Sequence, residues 1–222
     1  MEEKLVRFLL LVWSAALYGE VHVLMTGAVI SLQYEARKQE YLTSFFSLQS
    51  YGIEPWIIIA TNMHASFFDE LSHQVLYPQK NNLSIRNKGV NEAMSLRASI
   101  PHLPFADDDI VIKLTGRYCL HKRSLLDLIE TSSNDYDVWG IFGKHFVSPD
   151  HLFTGCFAMR WKYLKKMLSE MDCVAAEIDY LPVEKLFAEF IDKEELRVKK
   201  IDTMYVRARI FFSGEGTDIL EF

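Results

Sequence analysis

The sequence predicts a single-domain α/β fold with a mostly parallel sheet and helices on both faces. Apolar runs rich in β-branched residues alternate with segments of helical period, which is typical of parallel strands joined by helices. The runs at 21–30, 56–60 and 110–114 are continuous, as expected for strands buried on both faces. The length of 222 residues favours one compact unit over two.

The remaining elements follow from helical spacing and turn residues. A helix is expected over 35–51, where aromatic and aliphatic side chains share one face and Gly52 follows. Further helices are expected over 64–77, 88–99, 124–131, 161–171 and 183–191, and further strands over 138–142, 152–159 and 197–212. Ser124 and Asp127 are spaced like a capping box.

Residues 1–20 form a hydrophobic segment ahead of the predicted domain at 21–222. Its apolar run, 5–17, is broken only by Arg7 and Ser14 and is shorter than the roughly 20 residues that span a bilayer. The run suits a signal-peptide core, but two early glutamates weaken the positive start. A signal, a weak membrane anchor and a packed helix all stay open. With them, cytoplasmic, membrane-associated and secreted locations stay open too.

Composition narrows the classes of function. A net charge of -6 does not provide the basic face that duplex nucleic acid requires. Three cysteines without Cys-x-x-Cys spacing argue against a zinc ribbon and a disulfide framework. The segment Thr26-Gly27-Ala28 in the first strand matches neither the dinucleotide fingerprint nor a P-loop.

The segment that best indicates chemistry is Lys113-Leu114-Thr115-Gly116-Arg117-Tyr118, at the end of the third strand. An unpaired buried charge is costly, so Lys113 is expected to point at a pocket or towards the sheet edge. Gly116 allows close backbone approach, and the fork of Arg117 suits phosphate oxygens. Ligands of such sheets bind beyond the carboxyl ends of the strands. The segment therefore predicts a diphosphate site, with an ordinary charged turn as the alternative.

Three blocks in order carry a family resemblance: NKGVNEA at 87–93, KLTGRY at 113–118 and TGCFAMRWKYL at 154–164. Together they resemble bacterial and viral glycosyltransferases of the GT-A-type fold, from about Val21 to the C-terminus. The resemblance implies a nucleoside-diphosphate-sugar donor. It also implies transfer of a hexosyl or deoxyhexosyl group to a hydroxyl of a glycan or lipid-linked acceptor.

That architecture usually ends a central strand in Asp-x-Asp, whose carboxylates hold a divalent cation against the diphosphate. Here 115–117 occupies that place, and threonine and arginine do not replace two carboxylates as Mg²⁺ or Mn²⁺ ligands. We expect Arg117, with Lys88 or Lys113, to stabilise the diphosphate without a metal.

A metal site remains the alternative. The runner-up ligands for Mn²⁺ or Mg²⁺ are Asp107 and Asp109, in an acidic turn before the third strand. That position is expected to lie at the edge of the sheet opposite the ligand crevice.

Other polar residues are expected around the donor. Asn87 is a good N-cap, and a helix N-terminus carrying Lys88 is suited to an anion. Asn62 follows the second strand and could contact a nucleobase or ribose, and Thr26 belongs to the same edge. Plain capping and turn roles are the alternative for each.

Glu184 is the candidate general base. It begins the helix after Pro182, where the family architecture often places an acidic residue that faces the acceptor. A carboxylate there can take the proton of an acceptor hydroxyl, although the helix dipole also favours glutamate in a first turn. Glu184 and Arg117 are the two residues to which the sequence assigns catalysis.

Two rival functions stay open. A sugar nucleotidyltransferase shares the layered plan but is expected to carry a Gly-rich, Arg-containing loop after the first strand, and none follows Thr26. A catalytically silent module that binds sugar nucleotides or glycans is supported by the missing Asp-x-Asp.

Overall fold

The computed structural model describes residues 19–29, 34–61, 67–143, 151–204, 206–211 and 217–221. Residues 1–18 of the hydrophobic segment at 1–20, and Asn62, lie outside the described residues. No helix in the described ranges has the length and apolar composition that crossing a membrane requires.

Strands and helices alternate through most of the chain. The strands are β1 (Val21–Val29), β2 (Trp56–Thr61), β3 (Val75–Leu76), β4 (Ile110–Thr115), β5 (Tyr118–Leu120), β6 (Val138–Gly140), β7 (Cys156–Arg160), β8 (Val198–Lys200), β9 (Val206–Phe211) and β10 (Thr217–Glu221). The helices are α1 (Tyr34–Ser50), α2 (Lys88–Ser99), α3 (Ser124–Ser132), α4 (Trp161–Glu170), α5 (Cys173–Ile178) and α6 (Val183–Lys193), with a 3-10 turn at Ile100–His102.

The main sheet has seven strands in the order β3-β2-β1-β4-β7-β6-β8. β3, β2, β1 and β4 are parallel, β7 is antiparallel to both of its neighbours, and β8 is parallel to β6. A second, antiparallel sheet has the order β10-β9-β5. The predicted fold class, α/β with a mostly parallel sheet and flanking helices, is confirmed.

The core follows the sequence pattern. β2 and β4 are buried almost throughout, because both faces of the sheet are covered. In α1 the side chains of Tyr41, Phe45 and Leu48 are buried, as their spacing predicts. Gly52 has φ of 76°, a left-handed conformation that glycine adopts freely, and it lies just beyond the end of the helix.

Two local predictions were wrong. Within the helix expected over 64–77, Val75–Leu76 instead forms an edge strand beside β2, where Ile57 N donates to Gln74 O at 2.8 Å. Hydrogen bonding to a buried strand decides the structure of these residues, because the helical spacing of apolar residues in this segment is weak. In α3 the N-cap is Arg123 rather than Ser124, and Asp127 accepts from Arg123 Nε at 3.0 Å, so no capping box forms.

The C-terminal strand prediction was correct in type but not in extent. The expected strand over 197–212 is divided between two sheets, because β8 joins β6 whereas β9 joins β5. The strand expected over 152–159 begins only at Cys156, so Thr154 and Gly155 form a turn before it.

Candidate functional site

A polar network lies where β1 and β4 end. Parallel pairing sets Thr26 of β1 beside Thr115 of β4. Glu92 of α2 reaches both: its Oε1 accepts from the Thr26 hydroxyl and, at 3.4 Å, from the Thr115 hydroxyl. The ammonium of Lys113 lies 2.9 Å from the same oxygen. We call these four residues, with Thr154 and Glu184, the strand-end network.

Lys113 is the centre of this network. Its side chain is only 2% exposed. Besides Glu92 it donates to Thr115 Oγ1 at 2.7 Å and to the carbonyl of Thr154 at 2.6 Å. An ammonium group has three hydrogens, so all of its donors are used inside the protein. In this structure Lys113 is therefore neutralised by a carboxylate, and its predicted role in binding the donor stays a prediction.

Glu184 joins the network through Thr154. Because β7 runs antiparallel to β4, the turn before β7 meets the end of β4, and Thr115 N donates to Gly155 O at 2.8 Å. From this turn the Thr154 hydroxyl donates to Glu184 Oε1 at 2.8 Å. Glu184 lies in the first turn of α6 and is partly exposed. The structure thus brings the predicted base to within two contacts of Lys113.

Arg117 lies in the turn between β4 and β5 and is partly buried. No described residue forms a hydrogen bond or ion pair with its guanidinium. Gly116 lets this turn close on β1: its N–H donates to Thr26 O at 2.7 Å, and a Cβ there would lie 3.0 Å from both that oxygen and the Tyr41 ring. Gly116 is thus required for packing, and Arg117 is a cation at the strand end without a partner among the residues that the structure describes.

Tyr118 follows Arg117 and is packed on the turn before β7. A Cβ at Gly155 would lie 2.2 Å from Tyr118 Cε2, so only glycine lets the ring rest there. Burial raises the pKa of the Tyr118 phenol, the charge of Arg117 lowers it, and the carboxylates of Glu92 and Glu184 raise it further. Both carboxylates are therefore close enough to act on this ring.

The amino end of α2 lies against the amino end of α6. Asn87 caps α2, as predicted, by accepting from Val90 N at 3.3 Å, and it donates to Leu181 O at 2.8 Å. A Cβ at Gly89 would lie 2.5 Å from Val183 Cγ2. Lys88 is exposed, and no described residue pairs with it. Of the cations assigned to the donor, Lys88 and Arg117 have no partner among the described residues, whereas Lys113 is paired with Glu92. The Asn87 amide is engaged as well.

Sequence reasoning missed Glu92 and Thr154 as members of the site. Both lie inside the blocks that carry the family resemblance, at 87–93 and 154–164. A lysine in a buried strand requires a counterion, but nothing in the spacing shows which acid supplies it. The turn residue Thr154 is placed by the antiparallel pairing of β7, which the sequence does not reveal.

The acidic turn before β4 lies at the opposite edge of the sheet, as expected. Asp109 accepts from Glu20 N at 2.9 Å and from Ala106 N at 2.7 Å, and Asp108 accepts from Lys162 at 2.9 Å. These carboxylates accept from backbone N–H groups and from a surface lysine around the start of β4. No group of three His, Cys, Asp or Glu side chains in the described ranges is arranged to hold a metal ion.

The same edge carries a second ion-pair cluster. Asp137 accepts from Arg197 Nε at 2.9 Å and from Arg160 Nε at 3.2 Å. Burial would raise the pKa of Asp137, but the hydrogen bonds and charges of these arginines together hold it below the ordinary 3.8. This cluster ties β6 and β7 to the residue before β8 and is far along the strands from the strand-end network.

Solved structures place this architecture among known folds. The chain matches the bifunctional IspDF of Campylobacter jejuni with a TM-score of 0.51 and 13% identity over 82% of the chain, spanning only 49% of that protein. It matches a Bacillus anthracis protein described as a glucose-1-phosphate thymidylyltransferase with a TM-score of 0.50 and 9% identity, covering 82% of this chain and 87% of that one. Mouse xyloside xylosyltransferase 1 gives a TM-score of 0.50 and 10% identity, covering 82% and 85%.

These similarities show the fold, which nucleotidyltransferases and glycosyltransferases share. No family model matches the sequence, and neither does any curated protein.

Proposed function

We propose that this chain is a glycosyltransferase that moves a sugar from a nucleoside-diphosphate donor to a hydroxyl of a glycan or lipid-linked acceptor. The observation that carries the proposal is the guanidinium of Arg117 at the carboxyl end of β4, which pairs with no residue in the described ranges and follows a network that contains Glu184. Ligands of open α/β sheets bind beyond this end of the strands. A glycosyltransferase among the structural neighbours, mouse xyloside xylosyltransferase 1, has a similar fold.

The residues have separate roles in this proposal. Arg117 and Lys88 hold the diphosphate, since the charge of Lys113 is already neutralised by Glu92. Thr26, at 2% exposure, shapes the floor of the site, and Thr115 lies at its surface.

The reaction is a displacement at the anomeric carbon. Glu184 takes the proton of the acceptor hydroxyl, whose oxygen bonds to that carbon. The bond from the carbon to the diphosphate oxygen breaks, and its electron pair leaves on the diphosphate. Arg117 stabilises the charge that develops there.

The test measures nucleoside diphosphate released from UDP-, GDP- and dTDP-sugars by wild type and by Arg117 variants. Arg117→Met is expected to lower the rate on the order of 10²-fold, and Arg117→Lys to lose less. Arg123→Met, at an exposed position at the start of α3, is the matched control and is expected to keep the wild-type rate. Equal rates for Arg117→Met and wild type would remove the support for the proposal.

Two other outcomes identify the rivals. Nucleotide binding without any diphosphate release indicates a silent binding module. The thymidylyltransferase-like neighbour keeps a nucleotidyltransferase as the second candidate. That activity would release pyrophosphate from a nucleoside triphosphate and a sugar 1-phosphate.

A further inference from the structure

The strand-end network uses all of its own side-chain hydrogens. The hydrogens of Lys113 go to Glu92, Thr115 and Thr154. The hydroxyls of Thr26 and Thr115 donate to Glu92 Oε1, and that of Thr154 donates to Glu184 Oε1. The network therefore offers no side-chain donor to a ligand.

Two acceptors are left over. Within the described part of the chain, neither Glu92 Oε2 nor Glu184 Oε2 receives a hydrogen bond, although both side chains are partly exposed. The two carboxylates are linked through only Lys113 and Thr154. Tyr118 lies beside this link, because its ring rests on Gly155, the residue after Thr154.

We propose that Glu92 and Tyr118, next to Glu184, form the subsite for the transferred sugar, and that this subsite selects a neutral sugar over a uronic acid. The inference rests on the proposed function, since it assigns the sugar of the same donor. An ionised carboxylate only accepts hydrogen bonds, so Glu92 binds a hydroxyl of the sugar, while Glu184 faces the acceptor hydroxyl. The aromatic ring offers an apolar face to the sugar's C–H groups.

A uronate would be disfavoured for two reasons. Its carboxylate would approach Glu92 and Glu184, whose two negative charges are balanced only by the one positive charge of Lys113. Coulomb repulsion between such groups is appreciable even near a protein surface. It would also find no side-chain donor in the strand-end network, because every hydrogen of Lys113 is already used. Arg117, the nearby cation, is occupied by the diphosphate in the proposed complex.

The test compares donors that differ only at C6: UDP-glucose with UDP-glucuronate, UDP-galactose with UDP-galacturonate, and GDP-mannose with GDP-mannuronate. Calorimetry on the full wild-type chain measures each pair and the nucleoside diphosphate alone. The neutral member is expected to bind about tenfold or more tightly than the uronate. Equal or tighter binding of the uronate would overturn the subsite and leave the glycosyltransferase proposal intact.

A Glu92 variant tests whether the strand-end network causes the preference for the neutral sugar over the uronate. Glu92→Gln is expected to reduce the neutral-over-uronate ratio several-fold, whereas Glu189→Gln, which removes an exposed glutamate of α6, keeps it. A ratio unchanged in a folded Glu92→Gln protein contradicts the proposal. Should that variant not fold, the wild-type comparison stands alone. If neither nucleotides nor sugar nucleotides bind, the proposed function fails and the subsite fails with it.

Discussion

Replacing either partner of the Glu92–Lys113 ion pair is predicted to lower the free energy of unfolding by a different amount. Glu92 is 28% exposed at its side chain and Lys113 only 2%. Glu92→Gln therefore leaves a buried ammonium without a countercharge, which costs about 3–5 kcal/mol of unfolding free energy. Lys113→Met leaves a carboxylate that water reaches, so we expect it to cost about 1–2 kcal/mol.

The assay is urea unfolding followed by tryptophan fluorescence, arranged as a double-mutant cycle. Lys113→Met made in the Glu92→Gln background removes the stranded charge and is expected to restore about 2 kcal/mol. Glu189→Gln breaks an exposed pair with Lys185 and should cost less than about 0.5 kcal/mol. If Lys113→Met costs as much as Glu92→Gln, or if the two losses simply add, the reasoning from burial is refuted.

Three further predictions test other contacts. Gly89→Ala places a Cβ 2.5 Å from Val183 and should cost about 1 kcal/mol net and lower transferase activity, and Val183→Ala in the same protein should restore both. Asp137→Asn should cost about 1–3 kcal/mol at pH 7 by thermal unfolding. Because the pKa of Asp137 is depressed, its contribution is present above the unfolded value of 3.8 and is lost below it, so variant and wild type should converge as the pH falls through that range. Burial raises the pKa of Cys156 to about 12, so a thiol reagent should label partly exposed Cys119 in the native protein and Cys156 only after unfolding.

The sequence predicted the main sheet well because its central strands are buried on both faces. Such strands appear in the sequence as continuous apolar runs, and the helices that cover them appear as apolar residues at helical spacing. The bounds of α2 were predicted at both ends, because Asn87 caps it. The short edge strand β3 was missed, since two residues carry no period and their pairing with β2 is decided by tertiary structure.

The site was only partly predictable. The sequence identified the segment around Lys113 from one fact, that a charge in a buried strand needs an explanation. It expected Lys113 to point at a pocket or towards the sheet edge, whereas in the structure its charge is paired with Glu92, which is 21 residues earlier on another element. Partners across elements depend on register and on the direction of β7, and neither is written in local spacing. Arg117 was identified correctly as a cation at the strand end, and its functional role stays a proposal.

The last prediction concerns divalent metal. In the glycosyltransferases that the sequence resembles, the place of residues 115–117 carries two carboxylates, whereas a hard cation here would meet the guanidinium of Arg117. The Thr115 hydroxyl is already bound to Lys113 and Glu92. We therefore expect a nucleoside diphosphate at about 100 times its dissociation constant to stabilise the protein by about 2.7 kcal/mol in EDTA as well as in Mn²⁺. Thermal unfolding measures this, and the stabilisation should be lost in Arg117→Met. Stabilisation that requires Mn²⁺ would contradict an arginine-held diphosphate and would make the free oxygen of Glu92 the first metal ligand to test.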